Sequence, residues 1–220
     1  MIIKVCGMRE AQNIREVEAL GIDWMGFIFY PKSPRYVARR PAYLPTQAKR
    51  VGVFVDASLD DITHRVDEYG LDLVQLHGDE LPQQCRELRA AMPAVKLIKA
   101  LSIKDEASVQ NAAKYDGAVD YLLFDTHCDG KGGSGRTFDH GLLSAYRGST
   151  PFLLSGGLSV DNADEIMAFS HPMLAGYDLN SRFEIAPALK EPARIKQFME
   201  FRATRFPRVE KDESQAIKTI

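Results

Sequence analysis

Nowhere in the 220 residues is there an apolar run approaching the roughly 18 that a membrane-spanning helix requires. The N-terminus lacks the basic stretch, apolar core and small-residue cleavage site of a secretory leader, so no export is expected. Cysteine is scarce. Cys6, Cys85 and Cys128 are an odd number with no C-x-x-C pair, which disfavours a disulfide framework and a structural zinc site, and makes a reducing cytoplasm the expected compartment. Neither sign of charge dominates: 28 Lys+Arg against 30 Asp+Glu leave a formal charge of −2, so no global field draws the chain to nucleic acid or to a membrane surface. Any anion site must be local. Low-complexity segments and clear internal repeats are also missing. What is there is 45% hydrophobic and 26% charged, the composition of an ordinary globular protein.

Apolar runs that read as strands occur at Ile2–Cys6, Trp24–Phe29, Val51–Val55, Leu73–Leu76, Val95–Ala100, Tyr121–Asp125, Phe152–Ser155 and Leu174–Asp178. Between them lie amphipathic stretches at Ala11–Leu20, Leu59–Tyr69, Leu81–Ala91, Asp105–Lys114, Val160–Phe169 and Ala193–Phe206, several introduced by helix-start residues such as Ser58, Ser102 and Ser159. Pro41–Lys49 is the weakest of the expected helices. Strict alternation of strand and helix implies parallel strands joined by right-handed crossovers, and eight such units predict a single-domain α/β (β/α)8 TIM barrel over residues 1–206. The charged tail, 207–220, has no sustained apolar period and is expected to fray. A doubly wound dinucleotide binder would carry G-x-G-x-x-G after its first strand, where only Gly7 stands. Gly132-Gly133-Ser134-Gly135 follows the sixth strand without the Lys-Ser/Thr ending of a P-loop, and reads as an active-site loop.

Function in such a barrel belongs at the C-terminal ends of the strands. Those ends are polar here: Cys6 closes the first strand, Gln75 and His77 the fourth, Asp125 the sixth, Gly156-Gly157 the seventh and Asp178-Leu179-Asn180-Ser181 the eighth. Alternation along a strand puts Lys4 and Cys6 on one face and Ile3 and Val5 on the other, so Cys6 is expected to face the barrel mouth, as is Asp125. Each has a plainer reading. A cysteine ending an apolar strand is commonly a small buried hydrophobe, a strand-end aspartate commonly caps the next helix, and His77 fits a core histidine. Cys85 falls at packing spacing with Leu81 and Leu88, which leaves Cys128 as the rival thiol.

Phosphate is the more composite signal. Barrels bind it between the loops after strands seven and eight and a short extra helix. Gly156-Gly157 permits close backbone approach, and Ser181-Arg182-Phe183-Glu184 matches an S-x-x-E capping box that would open such a helix.

Lys4-Val5-Cys6-Gly7, Phe29-Tyr30-Pro31-Lys32-Ser33-Pro34-Arg35-Tyr36, Val74-Gln75-Leu76-His77-Gly78, Gly132-Gly133-Ser134-Gly135, Leu154-Ser155-Gly156-Gly157 and Asp178-Leu179-Asn180-Ser181 together resemble the phosphoribosylanthranilate isomerase family, in order, from about residue 2 to about residue 200. The resemblance implies a tryptophan-biosynthesis enzyme that performs an Amadori rearrangement of N-(5-phosphoribosyl)anthranilate without cofactor or metal. It implies Asp125 as the general acid at the ring oxygen and Cys6 as the general base at C2. It further implies Arg35 near the anthranilate, where a planar guanidinium suits an aromatic carboxylate. Gly156, Gly157, Asn180 and Ser181 are the expected phosphate positions; Gln75, His77 and Asp178 are candidates of second rank. The expected partner is a small phosphosugar, with neither nucleic acid nor membrane, and the expected assembly is a monomer or homodimer.

An acid at the ring oxygen and a base at C2 are what an aldose–ketose isomerisation needs. Ordinary pKa values, about 8.5 for Cys and 3.9 for Asp, are the wrong way round for those roles, so the site is expected to favour the thiolate, through Lys4 or Arg9, and to keep a proton on the carboxyl. Two positions depart from the family pattern: Arg182 and Ala188 stand where glycine is common. Other phosphate-binding barrels share the phosphate loops but not the Cys6 and Asp125 pair. A bifunctional isomerase and a non-catalytic phosphosugar-binding module remain as alternatives.

Overall fold

In the computed structural model, which describes residues 1–125 and 140–205, the eight apolar runs pair side by side as parallel strands and close into a barrel in chain order. The elements are β1 (Ile2–Cys6), α1 (Ala11–Glu18), β2 (Trp24–Ile28), β3 (Lys49–Phe54), α2 (Leu59–Tyr69), β4 (Leu73–Leu76), α3 (Pro82–Ala91), β5 (Lys96–Ser102), α4 (Glu106–Asn111), β6 (Tyr121–Asp125), β7 (Phe152–Ser155), α5 (Ala163–Ala168), β8 (Leu174–Leu179), a short antiparallel pair β9 (Glu184–Ala186) and β10 (Leu189–Lys190), and α6 (Pro192–Arg205). The expected (β/α)8 architecture is therefore present. Cys128, the Gly132–Gly135 segment and the 207–220 tail lie outside the described residues.

Strand alternation sorts the side chains into two apolar layers. Trp24, Val51, Leu73, Ile98, Leu123 and Leu153 fill the barrel interior. The opposite faces, Ile3 and Val5, Met25 and Phe27, Leu122 and Phe124, join the larger layer between sheet and helices. Trp24 and Tyr121 meet edge-on inside the barrel at 5.0 Å between ring centroids, which plugs it. The strand ends, most of them polar, are left to line an opening.

The Pro41–Lys49 helix does not form. Pro41 and Pro45 each lack an amide donor and bias the preceding residue away from helical geometry. The segment instead leads into β3 as irregular chain. Glu18 at the end of α1 anchors it by accepting from the amides of Thr46 and Gln47 at 2.6 Å each and of Ala48 at 3.2 Å. Guanidinium groups cover aromatic rings there, Arg15 over Tyr43 at 4.3 Å and Arg65 over Phe29 at 5.2 Å.

Helix starts differ in detail. Ser58 caps α2, accepting from the Asp61 amide at 3.1 Å. Ser102 belongs to β5, and Asp105 caps α4 instead; Asn162, not Ser159, precedes α5. The Ser181–Glu184 capping box is not made: Ser181–Phe183 is a single 3-10 turn, and Glu184 turns to two cations described below.

Ala188, in the β9–β10 turn, sits at φ +68°, a conformation glycine adopts freely. The Cβ costs roughly 1–2 kcal/mol in that region, against the roughly 0.4–1 kcal/mol of chain entropy that glycine adds to the unfolded state. Ala188→Gly should therefore stabilise the fold by about 1 kcal/mol and raise Tm by about 2–4 °C in a thermal melt. An unchanged or lower Tm would mean that packing around the buried methyl outweighs the backbone strain.

Candidate active site

All ten residues nominated from the sequence, Cys6, Arg35, Gln75, His77, Asp125, Gly156, Gly157, Asp178, Asn180 and Ser181, line one cavity of about 210 Å³ at the C-terminal end of the barrel. Ile28, Val53, Ser155 and Leu158 complete its lining.

β1 delivers Cys6 to the mouth because Ile3 and Val5 bury outward and the alternate residues must then point inward. Its register neighbour on β2 is Gly26, where a Cβ would lie 2.8 Å from Cys6 Sγ. The missing side chain on β2 is what leaves room for the thiol. One step down β1, Lys4 is fully buried and donates to Asp178 Oδ1 at 2.8 Å across the β1–β8 register pair. Burial pulls the Lys4 ammonium down, but Asp178 and Cys6 together more than offset it, so its pKa sits above the ordinary lysine value.

The thiol does not behave as expected. Burial pushes Cys6 up by more than the nearby Lys4 ammonium pulls it down, so the resting group is the protonated thiol rather than a standing thiolate. Arg9 takes no part in this: its guanidinium binds Glu10 at 3.1 Å and the Tyr36 carbonyl at 3.4 Å.

Across the mouth, Asp125 ends β6, with its Oδ2 3.8 Å from His77 Nε2. Gln75 Nε2 lies 3.0 Å from His77 Nδ1. An amide nitrogen only donates, so Nδ1 accepts and the ring proton of neutral His77 is on Nε2, facing Asp125. Burial, opposed by Asp125, lowers the His77 pKa and keeps the ring neutral at physiological pH. The same bond leaves Gln75 Oε1 buried and without a partner, an acceptor at the cavity wall. The plainer reading of His77 as a core residue is excluded, because its side chain is 40% exposed.

Gly156 and Gly157 follow β7 at φ +83° and +67°, a conformation that rarely suits any other residue. Asn180 and Ser181 follow β8 on the adjoining rim, and Arg182 is exposed and does not line the cavity.

Lys190, Lys99 and Glu80 escaped sequence reading, and Glu184 was read there only as part of a helix cap. Lys190, fully buried, and Glu184 pair at 2.5 Å, and Glu184 also takes the fork of Arg35. Lys99 donates to Glu80 at 2.9 Å and to the Gly78 carbonyl at 2.6 Å, while Glu80 accepts from the amides of Asp56 and Gly78 at 3.0 Å each. This second pair holds the turn that carries His77. A lysine inside an apolar strand such as Val95–Ala100 was the available signal, since a buried ammonium requires a partner.

A family profile described as N-(5'phosphoribosyl)anthranilate (PRA) isomerase matches residues 3–201. The N-(5'-phosphoribosyl)anthranilate isomerase of Phocaeicola vulgatus is 55% identical over 199 residues, covering 90% of this chain and 96% of its own. A phosphoribosyl anthranilate isomerase solved in complex with reduced 1-(o-carboxyphenylamino)-1-deoxyribulose 5-phosphate superposes with a TM-score of 0.75 at 30% identity, covering 91% of this chain and 97% of that one. A Thermotoga maritima structure, described as monomers of a dimeric phosphoribosylanthranilate isomerase, gives a TM-score of 0.74 at 29% identity over 91% and 98% of the two chains.

Proposed function

The chain belongs to the N-(5'-phosphoribosyl)anthranilate isomerase family of tryptophan biosynthesis, and we propose that it carries out that isomerisation with Cys6 as general base and Asp125 as general acid. The substrate is N-(5-phosphoribosyl)anthranilate and the product 1-(2-carboxyphenylamino)-1-deoxyribulose 5-phosphate. Asp125 gives a proton to the furanose ring oxygen, and the ring opens to a Schiff base between C1 and the anthranilate nitrogen. Cys6 thiolate then takes the proton from C2, and the resulting enolamine tautomerises to the ketone. Both transfers are assigned to side chains, so the reading uses no metal or cofactor.

The observation that carries this reading is the meeting of a strand-one thiol and a strand-six carboxyl in one cavity, with a glycine pair at positive φ on the same rim. Gly156, Gly157, Asn180 and Ser181 are the proposed phosphate positions, with backbone amides as the main donors. Arg35 is proposed for the anthranilate carboxylate. The unpartnered Gln75 Oε1 suits a sugar hydroxyl, His77 acts on Asp125, and Asp178 acts on the base through Lys4. The reading extends to a cytoplasmic monomer or homodimer whose partner is the phosphosugar alone. Among the described residues, no helix is long and apolar enough to cross a membrane.

A base must be deprotonated to act, and burial raises the Cys6 pKa. The rising limb of kcat/KM against pH should therefore lie above the ordinary thiol value of about 8.5. Each thiolate formed is a correspondingly stronger base. Lys4→Met removes the stronger of the two ammonium effects that lower the thiol, the other being that of Lys190, so the limb should move to still higher pH. With circular dichroism confirming the fold, a limb that ignores Lys4 would remove Cys6 as the base.

A further inference from the structure

Arg35 reaches the cavity already engaged. Its Nε donates to Glu184 Oε1 at 2.8 Å and its Nη2 to Glu184 Oε2 at 2.6 Å, the bidentate arrangement in which a carboxylate and a guanidinium match best. The edge that would first be assigned to a substrate carboxylate is thus occupied by a protein one.

Glu184 is in turn fixed from behind. Lys190 Nζ donates to its Oε1 at 2.5 Å and the Ala188 amide at 3.2 Å. The same ammonium donates to Asn180 Oδ1 at 2.8 Å, and Asn13 holds both backbone groups of Lys190, accepting from its amide at 2.7 Å and donating to its carbonyl at 2.9 Å. The Arg35 stem has equally little freedom: it passes Gly7, where a Cβ would lie 2.6 Å from Arg35 Cδ and 3.1 Å from Asn180 Oδ1. Burial pushes the Glu184 carboxyl up, but its bonds to Arg35 and Lys190 more than reverse this, and it remains ionised.

A guanidinium has five N–H donors, and this fork uses the Nε edge. The Nη1/Nη2 edge is left, and it is planar, bidentate and rigidly aimed. We infer that Glu184 and Lys190 are positioning residues: Glu184 holds Arg35 by its inner edge so that the outer edge recognises the aromatic carboxylate of the substrate, and Lys190 ties that recognition to the Asn180 side of the cavity. The inference rests on Arg35 being the carboxylate contact. Glu184 touches no reacting atom in this scheme, and its effect is on which substrate is accepted.

The test compares N-(5-phosphoribosyl)anthranilate with N-(5-phosphoribosyl)aniline, which has the same sugar and phosphate and no carboxylate. The ratio of their kcat/KM values is measured for the intact chain and for Glu184→Gln, Arg35→Ala and the double variant. Glu184→Gln keeps the shape and part of the hydrogen bonding, and a melting curve reports its fold. It should raise KM for the anthranilate substrate about tenfold with kcat within about threefold, and leave the aniline substrate nearly unchanged, so that the ratio falls about tenfold. In the Arg35→Ala background the same change should have no further effect on the ratio. A ratio that collapses in Arg35→Ala and stays intact in Glu184→Gln overturns the inference alone. A ratio unmoved by Arg35→Ala overturns the carboxylate assignment of Arg35, and the inference falls with it. Equal losses on both substrates in Glu184→Gln would show a merely structural role and also overturn it.

Discussion

Cys6→Ser should lower kcat by about 10²–10⁴-fold while leaving KM within a few-fold of the intact chain, because the change removes a proton acceptor and no substrate contact. A serine hydroxyl is the same shape, but it is far too weak an acid to supply an alkoxide at C2 near neutral pH. The surroundings offer it no more help than they offer the thiol: of the two ammonium groups that act on it, Lys4 is held by Asp178 at 2.8 Å and Lys190 by Glu184 at 2.5 Å. Loss of phosphoribosylanthranilate fluorescence follows the reaction, with the substrate generated in place from anthranilate and phosphoribosyl pyrophosphate. Cys128→Ala in the same assay should keep its activity; of the three thiols in the chain Cys85 is buried away from the cavity, which leaves Cys128 as the rival to Cys6. A near-normal rate for Cys6→Ser, or an inactive Cys128→Ala, would mean that the wrong thiol carries the chemistry. Binding of a phosphosugar by the intact chain without turnover would instead support the binding-module alternative.

The second large effect is expected at Asp125. Asp125→Asn keeps the shape and the hydrogen-bonding size of the side chain but cannot give a proton to the ring oxygen, so kcat should again fall by about 10²–10⁴-fold. A pure rise in KM would make Asp125 a binding residue. The variant carries an internal check through His77. Asp125 opposes the burial that lowers the His77 pKa, so the neutral amide should drop that pKa further. The imidazole would then protonate at lower pH in the variant than in the intact chain, in a titration followed by NMR. A His77 pKa that stays put would mean either that Asp125 already holds its proton in the intact chain, as a resting acid does, or that the 3.8 Å contact carries no electrostatic coupling.

His77 shows how the site divides between what can be read from a sequence and what cannot. Its position at a polar strand end was visible, because the run Leu73–Leu76, apolar except for Gln75, stops just before it. Its tautomer was not, because that depends on a bond from Gln75 and a carboxylate forty-eight residues away. The same holds for Glu184. Three residues after Ser181 it satisfies a capping pattern, and local sequence has no way to weigh that against Arg35, 149 positions distant, and a buried Lys190. Two full charges won over two backbone amides, since a buried ammonium left unpaired costs far more than an uncapped turn.

The barrel itself was determined by the sequence. Eight apolar runs alternating with amphipathic stretches admit few topologies, and the two-residue period of a strand assigns Cys6 and Asp125 to the inner face wherever Val5 and Phe124 must be buried outward. The missing helix between β2 and β3, the weakest of those expected, was also written in Pro41 and Pro45. Only the tertiary structure decided the charge states. Whether Cys6 rests as thiol or thiolate depends on how much water the closed barrel removes and how near Lys4 comes, and the Arg35 fork depends on which carboxylate the β8 loop brings beside it. Desolvation and ion pairing are properties of distances between residues remote in the chain, and those distances exist only once the barrel has closed.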